Sequence, residues 1–108
     1  REPGMERYWI PSVPESALFG TKLTDRFFLV NIGADIAFLN GALKSLIERG
    51  HIDEAFIEAR TEGFGAVRER LTATAWAALE AEAGLPRVEI EAFAQMLAEA
   101  RKAVFVWS

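Results

Sequence analysis

Apolar and polar residues follow two different periods in the first half of the chain. A short apolar run at residues 27–30 predicts a buried strand, and Gly33 predicts a tight turn after it. The helical spacing of apolar residues after Asp35 predicts an amphipathic helix. Gly50 is predicted to end that helix. The apolar residues that share one face of this helix, and that the pattern therefore predicts to be buried, are Ile36, Leu39, Leu43, Leu46 and Ile47.

Shorter helical patterns fill the second half of the chain. Asp53 is predicted to cap a second helix that ends near Arg60, and Thr61 to cap a third. Gly84 is predicted to end a fourth helix and Pro86 to open a fifth. The apolar stripes of the third, fourth and fifth helices are Phe64, Val67 and Leu71, then Trp76, Leu79 and Ala83, and finally Ile90, Phe93 and Leu97.

The predicted fold class is α/β, with about two short parallel strands and four to five helices cut from a larger domain; a mainly α fragment is the alternative. A second buried strand is predicted at 103–108, with its neighbours in sequence outside this chain. Residues 1–108 are treated as a single segment: 1–24 an irregular connection, 25–50 a strand, turn and helix, and 51–102 a helical cluster.

Composition and charge argue against several functional classes. The net charge of −4 provides no broad positive field for nucleic acid or anionic lipid, and the absence of cysteine excludes thiolate chemistry and sulfur ligands within the 108 residues. The single His51 cannot form a metal site alone and is predicted to lie in a turn. No apolar run approaches the roughly 18 residues that span a bilayer, so no membrane insertion and a cytoplasmic location are expected.

The turn before the first helix is the candidate binding element. The free N–H groups and partial positive charge at a helix start favour phosphate or the polar edge of a nucleotide. Gly33 lets the backbone approach a ligand, and Asp35 can either cap the helix or accept a hydrogen bond from a guanine N–H. The pattern by itself predicts an anion or nucleotide site of unspecified identity.

Four stretches of the chain carry a specific combination of motifs: residues 33–41, 46–50, 52–57 and 60–64. Together they resemble the molybdopterin oxidoreductase family, most closely its formate-dehydrogenase-like alpha subunits. The closing apolar run at 103–108 also resembles the strand that, in this family, leads into a Met-Gly segment at the cofactor. The resemblance extends over most of residues 1–108.

The resemblance implies a large multidomain oxidoreductase with bis(molybdopterin guanine dinucleotide) carrying molybdenum or tungsten, and an iron–sulfur cluster outside this segment. It implies that Gly33, Ala34 and Asp35 contact the guanine dinucleotide end of one pterin. Family members often have Thr or Ser where this chain has Ala34, so a hydroxyl contact is lost here. The implied partners are the remaining domains of the same polypeptide and a small-molecule substrate, with formate the family-level candidate.

No catalytic residue and no metal ligand of the family matches a position in this sequence. We therefore expect the segment to be inactive alone and to contribute by positioning the cofactor. The alternative function is a small helical protein-interaction module without catalysis. A helix-turn-helix is disfavoured, because the last helix carries Glu89, Glu91 and Glu99 where a DNA-reading helix needs Arg, Asn or Gln.

The remaining polar residues have ordinary structural interpretations. Arg60, Arg68 and Arg70 are candidates for phosphate binding, with salt bridges to nearby acids as the favoured alternative. Gly41, inside the first helix, is predicted to permit close packing against a strand. The acidic residues that resemble paired catalytic carboxylates, and that are predicted instead to form a solvated face, are Glu80, Glu82, Glu89 and Glu91.

Overall fold

The computed structural model describes residues 7–8, 21–22 and 26–107, and in that part of the chain the architecture is helical. Two residue pairs, β1 (Arg7–Tyr8) and β2 (Thr21–Lys22), form a short antiparallel ladder. The helices are α1 (Asp35–Glu48), α2 (Glu54–Arg60), α3 (Phe64–Ala73), α4 (Trp76–Ala83) and α5 (Arg87–Glu99).

The prediction of an α/β fold is wrong, and the mainly α alternative fits the structure. Residues 27–30 and 103–107 are not strands: they form no ladder within the part of the chain that the structure describes. An apolar run becomes a strand only when a neighbouring strand satisfies its backbone N–H and C=O groups. Ser108 and most of the predicted connection at 1–24 lie outside the described residues.

Helix α1 is the centre of the structure and packs against α3, α4 and α5. Its Phe38 contacts the rings of Phe93 from α5 and of Phe28 from residues 26–30, which precede α1 in the chain, with ring centroids 4.9 and 5.8 Å away. Burying such rings removes a large apolar area from water and so stabilises the cluster. The buried core residues around this aromatic cluster are Ala37, Phe38, Ala42, Ala83, Ile90 and Ala94.

The buried face of α1 is not the one that the apolar stripe predicts. Ile36 is 72% exposed and Leu39 44% exposed, whereas Phe38 is only 9% exposed. Small residues on the buried face allow neighbouring helices to approach closely: a Cβ on Gly41 would lie 2.8 Å from Cγ2 of Ile90. Gly41 therefore permits close packing as predicted, but against helix α5 and not against a strand.

The predicted ends of the shorter helices are mostly confirmed. The carboxylate of Asp53 accepts a 3.0 Å hydrogen bond from the Phe56 N–H and caps α2. Gly84 ends α4 in the left-handed conformation, and Pro86 precedes α5. Thr61 does not cap α3: it follows α2 and donates a 2.6 Å hydrogen bond to the Ile57 carbonyl. Gly63, with a positive φ, precedes α3 instead.

Candidate functional site

A tight turn connects residues 26–30 to α1. The N–H of Ala34 donates a 3.0 Å hydrogen bond to the carbonyl of Asn31, which closes a four-residue turn. Gly33 has a φ of +77°, the conformation required at the third position of a type II turn. Ile32, at the second position, is fully exposed. The predicted turn is therefore present, and its tip faces outward.

Asn31 connects this turn to the end of α4 through two hydrogen bonds. Its N–H donates a 2.8 Å hydrogen bond to the Ala83 carbonyl, and its Nδ2 donates one of 3.3 Å to the Glu82 carbonyl. These carbonyls lie in the last turn of α4, where no further helical N–H follows to bond them. A Cβ on Gly84 would overlap the Asn31 amide, so glycine is required there both for its φ of +75° and for space.

The three predicted cofactor residues lie in different environments. Gly33 is exposed, and a Cβ added there would have no heavy atom within 4 Å. Ala34 is buried and its N–H is already donated within the turn, so it is not a free donor. Asp35 is exposed in the first turn of α1 and does not cap it, because Ala34 occupies the N-cap position.

The helix start itself is left without a side-chain acceptor. Alanine at the N-cap has no polar side chain to receive the N–H groups of the first turn. Those groups and the helix dipole favour an acceptor or an anion from outside the helix. Asp35 contributes a negative charge at the same place, which satisfies part of this preference and would compete with a bound phosphate.

A cavity of about 380 Å³ lies between α1, α3 and α4. Its apolar walls include Ile36 of α1, Val67 of α3 and Leu79 of α4. This volume is within the range of roughly 300–1,000 Å³ that is typical of small-molecule sites. The lining residues are Ile36, Ala37, Asn40, Val67, Arg70, Leu71, Thr74, Leu79 and Glu82.

Three polar side chains of this cavity have no polar partner within the described part of the chain. They are the amide of Asn40, the guanidinium of Arg70 and the carboxylate of Glu82. Thr74 differs, because its hydroxyl donates a 2.8 Å hydrogen bond to the Arg70 carbonyl. The cavity therefore offers one cation, one carboxylate and one amide to a ligand, on otherwise apolar walls.

The other arginines have structural partners or lie elsewhere. Arg68 forms a bidentate pair with Glu54, with Nη2 to Oε distances of 2.8 and 2.7 Å, which confirms the salt-bridge prediction for this residue. Arg60 lies exposed at the end of α2 and has no ion pair among the described residues. Arg70 is thus the arginine of this group that lines the cavity.

A buried lysine and a carboxylate form the main charged contact of the core. Lys44 is 4% exposed, and its Nζ donates to the carbonyls of Leu71 and Thr72 at 2.9 and 3.2 Å. The same Nζ lies 2.9 Å from Oε1 of Glu48, while Trp76 Nε1 donates to Oε2. With all three donors satisfied, Lys44 joins α1 to the end of α3 as a structural residue.

The pKa of Glu48 follows from this environment. Partial burial raises the pKa, but hydrogen bonds from Lys44 and Trp76 and the positive charges of Lys44 and Arg87 outweigh burial, so the pKa lies below its usual 4.5. The carboxylate is therefore held ionised and paired between helices.

The sequence predicts few of the residues that line the cavity. Asn40 lies within the 33–41 stretch but has no predicted function of its own. The sequence also does not predict that Asn31 hydrogen-bonds the turn to the end of α4. Glu82 is exposed, as the predicted solvated face requires, and it also lines the cavity. The available signal was the four-residue spacing between Ile36 and Asn40, which places both on one face of α1.

Two classes of feature are absent from the described residues. No group of three or more His, Asp or Glu side chains there is arranged to hold a metal ion. None of the described helices is long and apolar enough to cross a membrane.

Comparison with known proteins relates the chain to formate-dehydrogenase-like proteins. It is 29% identical over 119 aligned residues to the protein YdeP of Escherichia coli, an alignment that covers 99% of the chain and 16% of YdeP. It is 33% identical over 84 residues to a putative formate dehydrogenase of Staphylococcus aureus, covering 78% of the chain and 8% of that protein. No known protein-family profile matches the chain.

A further relative carries a specific enzyme name. The chain is 31% identical over 86 residues to formate dehydrogenase H of Escherichia coli, covering 80% of the chain and 12% of that enzyme. The chain thus spans less than a fifth of the length of the curated relatives it matches. The similarities support a distant relationship to formate-dehydrogenase-like oxidoreductases.

Proposed function

We propose that this chain is a segment of a formate-dehydrogenase-like oxidoreductase, and that its 31–35 turn helps to hold the guanine dinucleotide end of bis(molybdopterin guanine dinucleotide). The distant similarity to formate dehydrogenases supports the class of protein. The observation that carries the proposed site is the exposed turn, in which Gly33 leaves open space in front of an α1 start without a side-chain cap.

The residues of this turn fit a nucleotide in a specific way. Gly33 permits close approach of the ligand, and the exposed carboxylate of Asp35 accepts from N–H groups such as those of guanine. Ala34 contributes the close packing of the turn and no free donor, because its N–H bonds Asn31. Asn31 acts as a positioning residue, since it anchors the turn to the end of α4.

This fit assigns nucleotide binding to the present segment and the redox chemistry to the cofactor. When bound, the metal-carrying pterin would supply the redox chemistry, for which formate is the proposed substrate. The residues of this segment would bind and orient the nucleotide tail. Molybdenum or tungsten, the electron acceptor and an iron–sulfur cluster would be held by other parts of the polypeptide.

Elemental and pterin analysis of the complete polypeptide tests this proposal. We expect molybdenum or tungsten together with pterin in the purified protein. Gly33→Val should lower the molar ratio of metal to protein several-fold, because a β-branched residue both disfavours positive φ and fills the space before α1.

Gly63→Val is the matched control for that experiment. Gly63 has the same φ of +77° and equally open surroundings, but it precedes α3 and not the proposed site. It should leave the metal content unchanged. A parent protein without metal and pterin, or equal loss in both variants, would contradict the proposal.

The helical interaction module is a second candidate, and the mainly helical architecture of the described residues agrees with it better than with the α/β interpretation. Its specific support is the apolar surface that α1 leaves uncovered. Leu39 and Leu43 line an apolar groove of about 360 Å³ together with Leu97 and Phe105. Contiguous exposed apolar surface of this kind marks interaction sites.

Hydrogen exchange distinguishes an intramolecular from an intermolecular role of this groove. If the rest of the same polypeptide covers it, amides of residues 103–107 exchange more slowly in the complete polypeptide than in the 108-residue chain. Equal exchange in both would show that the rest of the polypeptide does not cover the groove, which leaves it open to a separate partner.

A further inference from the structure

The cavity between α1, α3 and α4 has an apolar floor and a charged rim. The floor consists of the buried residues Ala37 of α1, Leu71 of α3 and Leu79 of α4. The rim carries Arg70 and Glu82, which line the same cavity and are exposed. A volume of about 380 Å³, mostly apolar and with a few polar groups, is typical of a site for a small organic molecule.

The two charged groups of the rim have opposite signs and are not paired. Arg70 on α3 and Glu82 on α4 form no ion pair with each other, nor with any other residue in the described part of the chain. A guanidinium donates two parallel hydrogen bonds to a carboxylate, and a carboxylate accepts from an ammonium group. A ligand with a single charge would be attracted by one of these groups and repelled by the other, whereas a ligand that carries both charges pairs with both.

Asn40 of α1 adds a neutral polar group to the same cavity. Its amide is half-buried and has no hydrogen-bond partner in the described structure. A half-buried amide without a partner is unfavourable. The amide N–H groups of Asn40 can donate to a ligand carboxylate, and its carbonyl can accept from a ligand ammonium group.

We infer that this cavity binds the zwitterion of a free α-amino acid with an aliphatic side chain. The guanidinium of Arg70 pairs with the carboxylate of the ligand, and the carboxylate of Glu82 pairs with its ammonium group. The aliphatic side chain lies on the apolar floor and is removed from water there. The inference is independent of the proposed cofactor site, because it uses none of residues 31–35.

Ligand-observed nuclear magnetic resonance titration of the complete polypeptide with leucine tests the inference. We expect saturable binding with a Kd on the order of 1 mM, because so small a ligand makes few contacts. Two analogues each lack one charge: isocaproate has no ammonium group, and isopentylamine has no carboxylate. Each analogue should bind about fivefold more weakly than leucine, because it loses one ion pair at an exposed rim.

Substitutions at the rim separate the two ion pairs. Arg70→Gln should weaken the binding of leucine and isocaproate about fivefold and should not weaken that of isopentylamine, which has no carboxylate to pair with Arg70. Glu82→Gln should weaken leucine and isopentylamine about fivefold and should not weaken isocaproate. A substitution that only disturbed the fold would weaken all three ligands alike.

Two substitutions on α2 provide matched controls. Glu58→Gln and Arg60→Gln remove the same charges at exposed positions that do not line the cavity. Both should leave the affinity for leucine and for the two analogues unchanged. These comparisons separate a local contact from a general change in the charge of the chain.

Three results would overturn the inference. They are no saturable binding of leucine, equal affinity for leucine and both analogues, and an equal effect of either rim substitution on all three ligands. Binding of leucine to the 108-residue chain but not to the complete polypeptide would also overturn it, because the rest of the polypeptide would then fill the cavity. The metal and pterin content of the complete polypeptide tests the proposed function alone.

Discussion

At the residue scale, single polar contacts decide how the candidate site is held. Asn31 satisfies carbonyls at the end of α4, and Lys44 does the same at the end of α3. Each residue donates to carbonyls in the last turn of a helix, Asn31 through its backbone N–H and its amide and Lys44 through its ammonium, and so supplements the helix's own hydrogen bonds. The turn and the cavity are therefore positioned by residues that need never touch a ligand.

Gly84→Ala tests the contact between Asn31 and the end of α4. We expect a loss of about 2 kcal/mol or more in the free energy of unfolding, because the new methyl group adds overlap with Asn31 to the strain of positive φ. Gly63→Ala has the same backbone strain with open surroundings and should lose only about 1 kcal/mol. Urea unfolding measures both, and equal losses would show that the overlap has no energetic effect.

Glu48 makes stability depend on pH in the acid range. Its pKa is lowered in the folded chain, so its contribution is present above the unfolded value near 4.5 and is lost as the pH falls through the lower folded value. As the pH falls below about 4.5, the urea concentration at the midpoint of unfolding should therefore decrease more steeply for the wild type than for Glu48→Gln. Parallel pH profiles of the two proteins would contradict the pairing with Lys44.

At the element scale, α1 shows how packing overrides the apolar pattern. In the predicted stripe Ile36 and Leu39 are exposed, and Leu43, Leu46 and Ile47 are half-buried. The most deeply buried face holds Ala37, Phe38 and Ala42. Small residues allow three helices to pack around α1 at short distance, and the single large ring of Phe38 fills the space between them. Amphipathic spacing identified the helix correctly but assigned its buried side wrongly.

A pair of substitutions on opposite faces of α1 checks this assignment. Phe38→Ala should lower the free energy of unfolding by about 3 kcal/mol or more, because it leaves a cavity beside Phe28 and Phe93. Ile36→Ala should change it by less than about 0.5 kcal/mol, since that side chain is 72% exposed. If thermal or urea unfolding shows that Ile36→Ala is the more destabilising change, the buried face of α1 is the one that the stripe predicts.

At the scale of the whole molecule, apolar surface remains uncovered. The side chains of Val104, Val106 and Trp107 are more than four-fifths exposed, and Phe105 is half exposed beside the groove on α1. A surface of this kind favours association with another apolar surface. This exposed surface is the physical basis for the prediction that residues 104–107 drive association.

Self-association of the 108-residue chain tests the exposed segment. We expect the sedimentation coefficient to rise with concentration, and Val106→Glu to reduce that rise while changing the free energy of unfolding by less than about 0.5 kcal/mol. Thr72→Glu, a charge added at another exposed position, is the control and should leave association unchanged. A chain that stays monomeric at all concentrations would show that this surface does not drive association.

The sequence alone determined the helices, most of their ends and the turn, because caps, glycines and apolar spacing act through neighbours in the chain. Asp53, Gly33 and Gly84 each fulfil the local role that their positions predict. Only tertiary structure decided that 27–30 lacks a ladder, which face of α1 is buried, and that Asn40, Arg70 and Glu82 line one cavity. Those features depend on residues distant in sequence, and the spacing along a single helix carries no information about which neighbour covers it.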